Sequence, residues 1–541
     1  MSNQIIPAKR LGYSNIYLDF IAGADSATKL YNSNDLNQVA ATLDKTNFDR
    51  NKLTQILTRQ NKSFHATDKT FANIEKLKLP NALTVFSGQQ AVLFGGPMLI
   101  MIKALTLIKS AEEYSKRLNR PVIPIFWIAG DDHDFDEANH TTVLNRQSEE
   151  TLVSYDHRPN LELPISDVKF DNAEALNQTK SKYKEALGDS DFTVKLYELL
   201  DSSYQTGETM VTAFGKLLAG LTSEYGLVFF NPGDKEVKTH AVNFFTQLVN
   251  KQEELHSLTG RANQKIVEQG YHLQVEKAEN STHLFCNSDG RKPVQMDGQE
   301  FKIGTNTFTK EQLIKKINSE PEKFSPDVLT RPVFQSFLFP VLSQRGGPSE
   351  IAYLAQSAPI FELFNLPVPV YQSRPSVTFV EKHFEKLMAE YKISFVDLTG
   401  DIEQVINQIL ARSFPEDIEK EMSAVRNSIT KEFNSLKEKS LGFEPGLKDF
   451  AEQTFGKIDF ALKNFEAKVF STHKKKSQDV RGRIYRLWHA LYPSRALQER
   501  TLNIGYFISK YGFDFIKFMH NNIDITEKAH QLISLSEYKP K

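Results

Sequence analysis

Cysteine is nearly missing: the 541 residues hold one, Cys286. That excludes an internal disulfide and the cysteine-rich forms of structural zinc site. Net charge is missing too. The chain sets 66 Lys and Arg against 67 Asp and Glu, so no global basic field recruits nucleic acid and no acidic tail is present. No stretch reaches about 18 uninterrupted apolar residues, as a membrane span requires. The opening MSNQIIPAKRLGYSN lacks the apolar centre of a signal peptide. The expectation is a cytoplasmic chain with small-molecule substrates and neither a membrane nor a nucleic-acid partner. Its length exceeds what one hydrophobic core serves, so at least two structural units are expected.

What is present begins with FSGQQAVLFGGPM, Phe86 to Met98. An apolar strand-like run leads to Gly88, Gln89 and Gln90, then to Gly95, Gly96 and Pro97, and an apolar helical run follows. The stretch is neither G-x-G-x-x-G nor a Walker loop. Its ending recurs in FLFPVLSQRGGPSEIAYLAQ, as Gly346, Gly347 and Pro348. Proline suits the first helical position because its missing N–H would be unpaired there. Glycines before it admit a sharp turn and close approach of a ligand. Two such helix starts at strand ends would aim N–H groups and positive dipole ends into one crevice. Each Gly-Gly-Pro reads equally well as a plain helix cap.

Between the two copies, VIPIFWIAG (122–130) reads as a buried strand. Pro124 weakens its first half, which places the strand at Ile125 to Ala129. With the preceding helix it forms a βαβ unit. YGLVFFNPGD, FLFPVLSQ and PVPVYQS are further strand candidates for the same sheet. Directly after the Trp127 strand comes GDDHDFDEANH, five carboxylates in seven residues around His133. Like charges so crowded call for a cation, and at a strand end that cation is Mg²⁺ with Asp132 and Asp134 as ligands. His133 is then a general base or a phosphate donor. The competing reading is a solvated loop whose aspartates cap the next helix, and Asp136 and Glu137 read as helix-start charges.

The order of elements implies an α/β fold: a Rossmann-like parallel sheet core over 1–380, interrupted by a mostly helical insert at about 141–222 and a helix plus small β meander at 235–325. From 381 to 495 the texture changes to long charged helices. Ile458, Leu462, Phe465 and Val469 step at coiled-coil spacing, and Gly442, Pro445 and Gly446 break the run into an antiparallel hairpin. Such an arm, with an apolar seam, is a natural surface for a homodimer. Residues 496–541 read as a helical segment returning to the core.

SGQQAVLFGGP, PIFWIAGDDHDFDE, YGLVFFNPGD, LTRPVFQSFLFPVLSQRGGPSEIAYLAQ, PVPVYQSRPS and ALYPSRALQERTLN together resemble the bacillithiol-biosynthesis cysteine-adding enzymes, the BshC cysteine ligase family. Two positions depart from the family pattern: Asp131 stands in a glutamate position, and Ser349 in a glycine position. The resemblance implies a Rossmann-like core, a long antiparallel coiled coil, and dimerisation through that coil. It implies ligation of L-cysteine to glucosaminyl-malate through an amide bond, and binding of an adenine nucleotide (ATP or ADP) and a small polycarboxylate.

Joined to the residues, this gives a candidate site. His133, Asp132, Gln89 and Gln90 are the catalytic candidates. Gly88, Gly95, Gly96, Pro97, Trp127, Gly346, Gly347, Glu350 and Tyr353 are expected around nucleotide or substrate. The carboxylates of malate suit bidentate arginine, for which Arg331, Arg345 and Arg374 are the candidates. Lys103, nearly two turns into its helix, reads as structural, and Cys286 as a small buried apolar residue. Arg495, Gln498, Arg500 and Asn503 suggest a second nucleotide pocket. The alternatives are another acid-activating ligase or nucleotidyltransferase, or a non-catalytic nucleotide-binding coiled-coil scaffold.

Overall fold

Five strands build a parallel sheet: β1 (Leu83–Gln90), β2 (Val122–Ala129), β3 (Val228–Phe230), β4 (Val341–Gly346) and β5 (Val370–Ser373). Their order across the sheet is β5-β4-β1-β2-β3. The chain starts at the centre with β1, grows to one side through β2 and β3, then returns to the other side. The direction of growth therefore switches between β1 and β4, and ligand crevices of open α/β sheets lie at such a switch. The described residues are 4–31, 35–158, 163–288, 290–413 and 416–539 of this computed structural model. They divide into two units, Met1–Glu381 with Ala496–Lys541, and Lys382–Arg495.

In the first unit the sheet is buried because its strands are apolar almost throughout, every residue from Leu83 to Ser87 and from Val122 to Ile128 being buried. Phe86 meets Phe339 with ring centroids 5.0 Å apart, and Trp127 meets Phe230 at the same 5.0 Å. Helix α1 (Leu99–Leu118) crosses from β1 to β2, buried along its first half and emerging towards its end. Strand β2 begins at Val122, earlier than the sequence predicts. Its neighbour β3 pairs only from Ile125, so one flank of Pro124 has no strand to serve and the missing N–H costs little. The run at 337–344 is likewise divided: Arg331–Leu338 is a helix, and the strand begins at Val341.

The first insert is a hairpin (His140–Leu144 with Glu150–Ser154) followed by three helices between Ala173 and Leu221. The second is a five-stranded antiparallel sheet from Ser281 to Pro326. Tyr271 to Lys277, which lead into this sheet, form no strand.

The predicted helical tail is only partly helical. After three short helices the chain ends in a strand, His530–Ser534, lying between Ser376–Val380 and Gln4–Ile6. A single strand among helices, with its nearer partner 154 residues away, has no local signature. His530 is buried there between two hydroxyls, Ser376 Oγ at 2.8 Å and Thr378 Oγ1 at 2.9 Å. Burial depresses its pKa to about 4, with Arg374 pushing the same way and Glu499 opposing. The unfolded chain therefore takes up a proton near pH 6.5 that the folded chain refuses until about pH 4. Stability is expected to fall across that window by up to about 3 kcal/mol as pH drops. Unfolding midpoints of native and His530→Asn protein across this range check it: the variant loses that slope.

The second unit contains a helical hairpin. Helices α2 (Glu416–Phe443) and α3 (Lys448–Leu491) join through a short turn at Pro445–Leu447. The antiparallel register is fixed by Arg426–Asp459 (2.7 Å), Phe433–Phe455 (centroids 5.3 Å) and Lys437–Glu452 (3.0 Å). Among the described residues no helix is long and apolar enough to cross a membrane.

Candidate active site

A cavity of about 500 Å³ opens at the carboxyl ends of β1, β2 and β4, beside the switch point. Strand β1 contributes Gly88, Gln89 and Gln90, and β2 contributes Trp127. Gly88 has a specific reason to be glycine. It pairs with Trp127 in the ladder, and a Cβ there would lie 2.4 Å from the Trp127 carbonyl oxygen. The helix Pro348–Ser357 starts at the cavity with Gly347 as its cap and presents Glu350 and Tyr353.

A buried cation ties these pieces together. Lys103 Nζ donates to Gly88 O (2.8 Å) and Gln89 Oε1 (2.9 Å), and reaches Glu350 at 3.0 Å. Glu350 also accepts the Gly347 N–H at 2.8 Å. Burial works to raise the Glu350 carboxyl, but Lys103, that N–H and Arg331 outweigh it and hold the group below its usual value. Arg331 donates to the Tyr353 hydroxyl at 2.5 Å. Arg374 is buried against Glu499 (2.8 Å) and keeps one donor, Nε, without a hydrogen-bond partner among the described residues.

The antiparallel insert closes the opposite wall. Arg291 stands over the Phe285 ring, Cζ 3.7 Å from its centroid, its Nε without a hydrogen-bond partner among the described residues and Asp132 no nearer than 3.5 Å. Burial lowers its pKa, while Asp132, Asp131 and Asp327 oppose. Asp327 accepts from the Leu329 and Thr330 backbone, faces His283 Nδ1 at 2.9 Å and pairs with Lys277 at 3.1 Å. Burial would raise Asp327, but His283 and Lys277 hold it well below the carboxylate range. The wall carries six Lys and Arg against four Asp and Glu. That surplus favours a ligand with more than one negative charge.

Several expected residues stand elsewhere. Gly95, Gly96 and Pro97 do not line the cavity. Both glycines are buried at positive φ (81° and 60°), and Asn503 Nδ2 donates to Phe94 O (2.9 Å) and Gly96 O (2.7 Å). These glycines serve a turn braced from within the protein, not a ligand cradle. Gly346 ends β4, and its carbonyl accepts Arg374 N–H at 2.9 Å. Arg345 points away from the cavity, spending Nη1 on the carbonyls of Ser373 and Ile525, both at 3.0 Å. Adjacent residues of a strand face opposite sides, and Arg345 takes the inner one.

The acidic run divides as well. Asp131 and Asp132 line the cavity, whereas His133 and Asp134 do not. Asp131 is paired with buried Lys238 at 2.9 Å. Asp134 caps the helix Phe135–Ala138 through the Glu137 N–H, and its carbonyl accepts from Gln90. The His133 ring stands 3.3 Å from Asp132. No group of three or more His, Cys, Asp or Glu among the described residues is placed to hold a metal.

The second-pocket residues separate too. Gln498 reads both backbone groups of Phe379 (2.8 and 3.0 Å), Asn503 is the brace just described, Arg495 is exposed in the other unit, and Arg500 lines the cavity itself. Lys277, Arg291, Asp327 and Gln335 escaped the sequence reading. Gln335 lies within the motif LTRPVFQSFLFP, whose resemblance could have drawn attention to it. Arg291 sits in an insert whose alternating pattern carries no chemical signature, and Lys277 and Asp327 flank its strands in coil.

The comparisons agree along the chain. Residues 1–375 match the model for the N-terminal Rossmann-like domain of bacillithiol biosynthesis BshC, and residues 377–535 match that of its C-terminal coiled-coil domain. A protein of Koribacter versatilis (strain Ellin345) named "Putative cysteine ligase BshC" is 30% identical over 510 residues, 93% of this chain and 94% of that one. Proteins of the same name from Salinibacter ruber (28% identical, 98% of each chain) and Bacillus cytotoxicus (27%, 90% of this chain and 91% of that one) are also similar. With a Rossmann-like sheet, a coiled-coil hairpin and both domain models matched in order, the chain belongs to the BshC family of bacillithiol biosynthesis.

Proposed function

We propose that this protein is a cysteine ligase that joins L-cysteine to glucosaminyl-malate in the cavity at the β1–β4 switch point. The observation that carries the reading is the pair of wall arginines with unspent donors, buried Arg374 and half-buried Arg291, in a chain of this family. The malate part of the acceptor brings two carboxylates, and guanidinium forks are the groups that hold carboxylates in fixed orientation.

Amide formation at neutral pH needs the cysteine carboxyl activated as an acyl phosphate or adenylate, chemistry that ATP supplies. The glucosaminyl amine then attacks the acyl carbon, the C–N bond forms, phosphate or AMP leaves, and the nitrogen gives up a proton. Arg331 and Arg374 fit the charge of a phosphate or carboxylate, and Gly347 leaves room beside them. For Mg²⁺ the fit is thinner: of the two acidic-run carboxylates in the cavity wall, Asp131 is paired with Lys238 at 2.9 Å, and Asp132 has Arg291 no nearer than 3.5 Å. Asp131, Glu350 and Asp327 in the wall are paired with lysines at 2.9, 3.0 and 3.1 Å, which leaves Asp132 as the base, with His133 beside it. Gln89, fixed by Lys103, orients the substrate carbonyl.

A second copy of the chain is proposed to cover the arm, whose Phe450, Phe460 and Phe465 are each more than 60% exposed. Sedimentation of the full chain as a monomer would refute that part.

The test of function is the thiol content, by mass spectrometry, of source cells lacking the gene. Loss of bacillithiol with build-up of glucosaminyl-malate, reversed by the native gene, is expected. Unchanged bacillithiol would overturn the assignment in favour of another acid-activating ligase.

A further inference from the structure

The short helix Gln498–Thr501 begins where the chain re-enters the first unit, and its three leading side chains act on one place. Gln498 docks the segment by taking both backbone groups of Phe379. Glu499, fully buried, accepts from Arg374 Nη1 (2.8 Å), Ser376 Oγ (3.1 Å) and Val377 N (2.6 Å). Arg500 stands in the cavity wall. A carboxylate this well satisfied is fixed in place, and it fixes the guanidinium it holds. Arg374 Nη1 is further tied to Pro375 O at 2.9 Å.

What remains free on Arg374 is informative. The residue is 4% exposed, it lines the cavity, and its Nε finds no hydrogen-bond partner among the described residues. That nitrogen lies 3.1 Å from where a Cβ on Gly347 would stand, at the start of the helix Pro348–Ser357. A buried donor left unspent is costly, and a fold that spends a buried glutamate to hold it there has oriented it for an acceptor from outside.

We infer that Glu499 is a positioning residue, holding Arg374 so that its Nε edge forms an anion-binding corner of the cavity, with Gly347, whose N–H is spent on Glu350, contributing only the space a side chain would fill. The corner takes one carboxylate or phosphate group. The inference rests on the ligase reading for which substrate supplies that group, but not for the existence of the corner.

The test is calorimetric titration of the full-length chain with malate and, separately, with inorganic phosphate. Glu499→Gln keeps the size of the side chain and removes its charge. Binding of whichever anion the native chain takes is expected to weaken roughly tenfold in this variant, the loss of one charge-assisted hydrogen bond. Arg374→Lys keeps the charge but removes the fork, and is expected to lose as much. The double variant should lose no more than either single one, and Arg374→Lys carries the test if Glu499→Gln does not fold. In the ligation assay the KM for glucosaminyl-malate should rise about as much, with kcat within threefold, whereas a purely structural role would reduce the active fraction and leave KM unchanged. Equal anion binding by native and Glu499→Gln protein overturns the positioning role. Absence of binding of either anion by the native chain overturns the corner. Failure of the ligase reading shows differently, as no amide product from a native chain that still binds the anion.

Discussion

Lys103→Met is expected to lower the unfolding free energy by about 3 kcal/mol, at the lower end of the cost of breaking a buried ion pair. The lower end applies because the Lys103 side chain is 3% exposed but that of Glu350 is 24% exposed, so water meets part of the orphaned carboxylate. The lysine also ties Gly88 O and Gln89 Oε1 to the helix start, so its loss frees three elements at once. Urea midpoints at unchanged slope measure the effect. The companion change Glu350→Gln strands the lysine instead and should cost a similar amount. The double variant strands neither charge and should recover a good part of the loss. Losses that simply add would show that the pair does not act as a pair.

Asp132→Asn is expected to reduce kcat by about 10²–10⁴-fold, the usual contribution of a positioned base, while leaving stability nearly unchanged. The side chain is 53% exposed and lies in a loop, so its charge contributes little to the fold. Single-turnover amide formation is the measurement. His133→Ala should cost less, since His133 stands behind Asp132 and outside the cavity wall. A rate within threefold of native for Asp132→Asn would remove this aspartate from the chemistry.

The sheet was legible because its central strands are mainly apolar runs that end in glycine or turn residues, and the arm because its spacing is regular over many turns. The site was legible where function and chain order coincide: Gly88 to Gln90 end one strand, and Gly347 follows another. The two Gly-Gly-Pro copies show where that logic stops. Both turn the chain into a helix, but one faces the cavity while the other is braced by Asn503, more than four hundred residues away. No repeat within a sequence records which side of a sheet its turn faces. Arg345 and Arg374 differ in the same way, one turned inward and the other towards the ligand side. Arg291 was out of reach for a third reason. It acquires its role only when an antiparallel insert closes over a parallel sheet, and an alternating strand reads alike wherever it docks.

The Arg374–Glu499 pair also sets a timetable for synthesis. Its members are 125 residues apart in the chain, and the whole arm is translated between them. At roughly 5–20 residues per second a ribosome needs about 6–25 s to deliver the glutamate after the arginine. Through that interval the nascent core holds an uncompensated buried cation, and Ser376–Val380 waits for the strand that His530 begins. A stall within the arm leaves Ser376–Val380 without its partner strand and Arg374 without its glutamate.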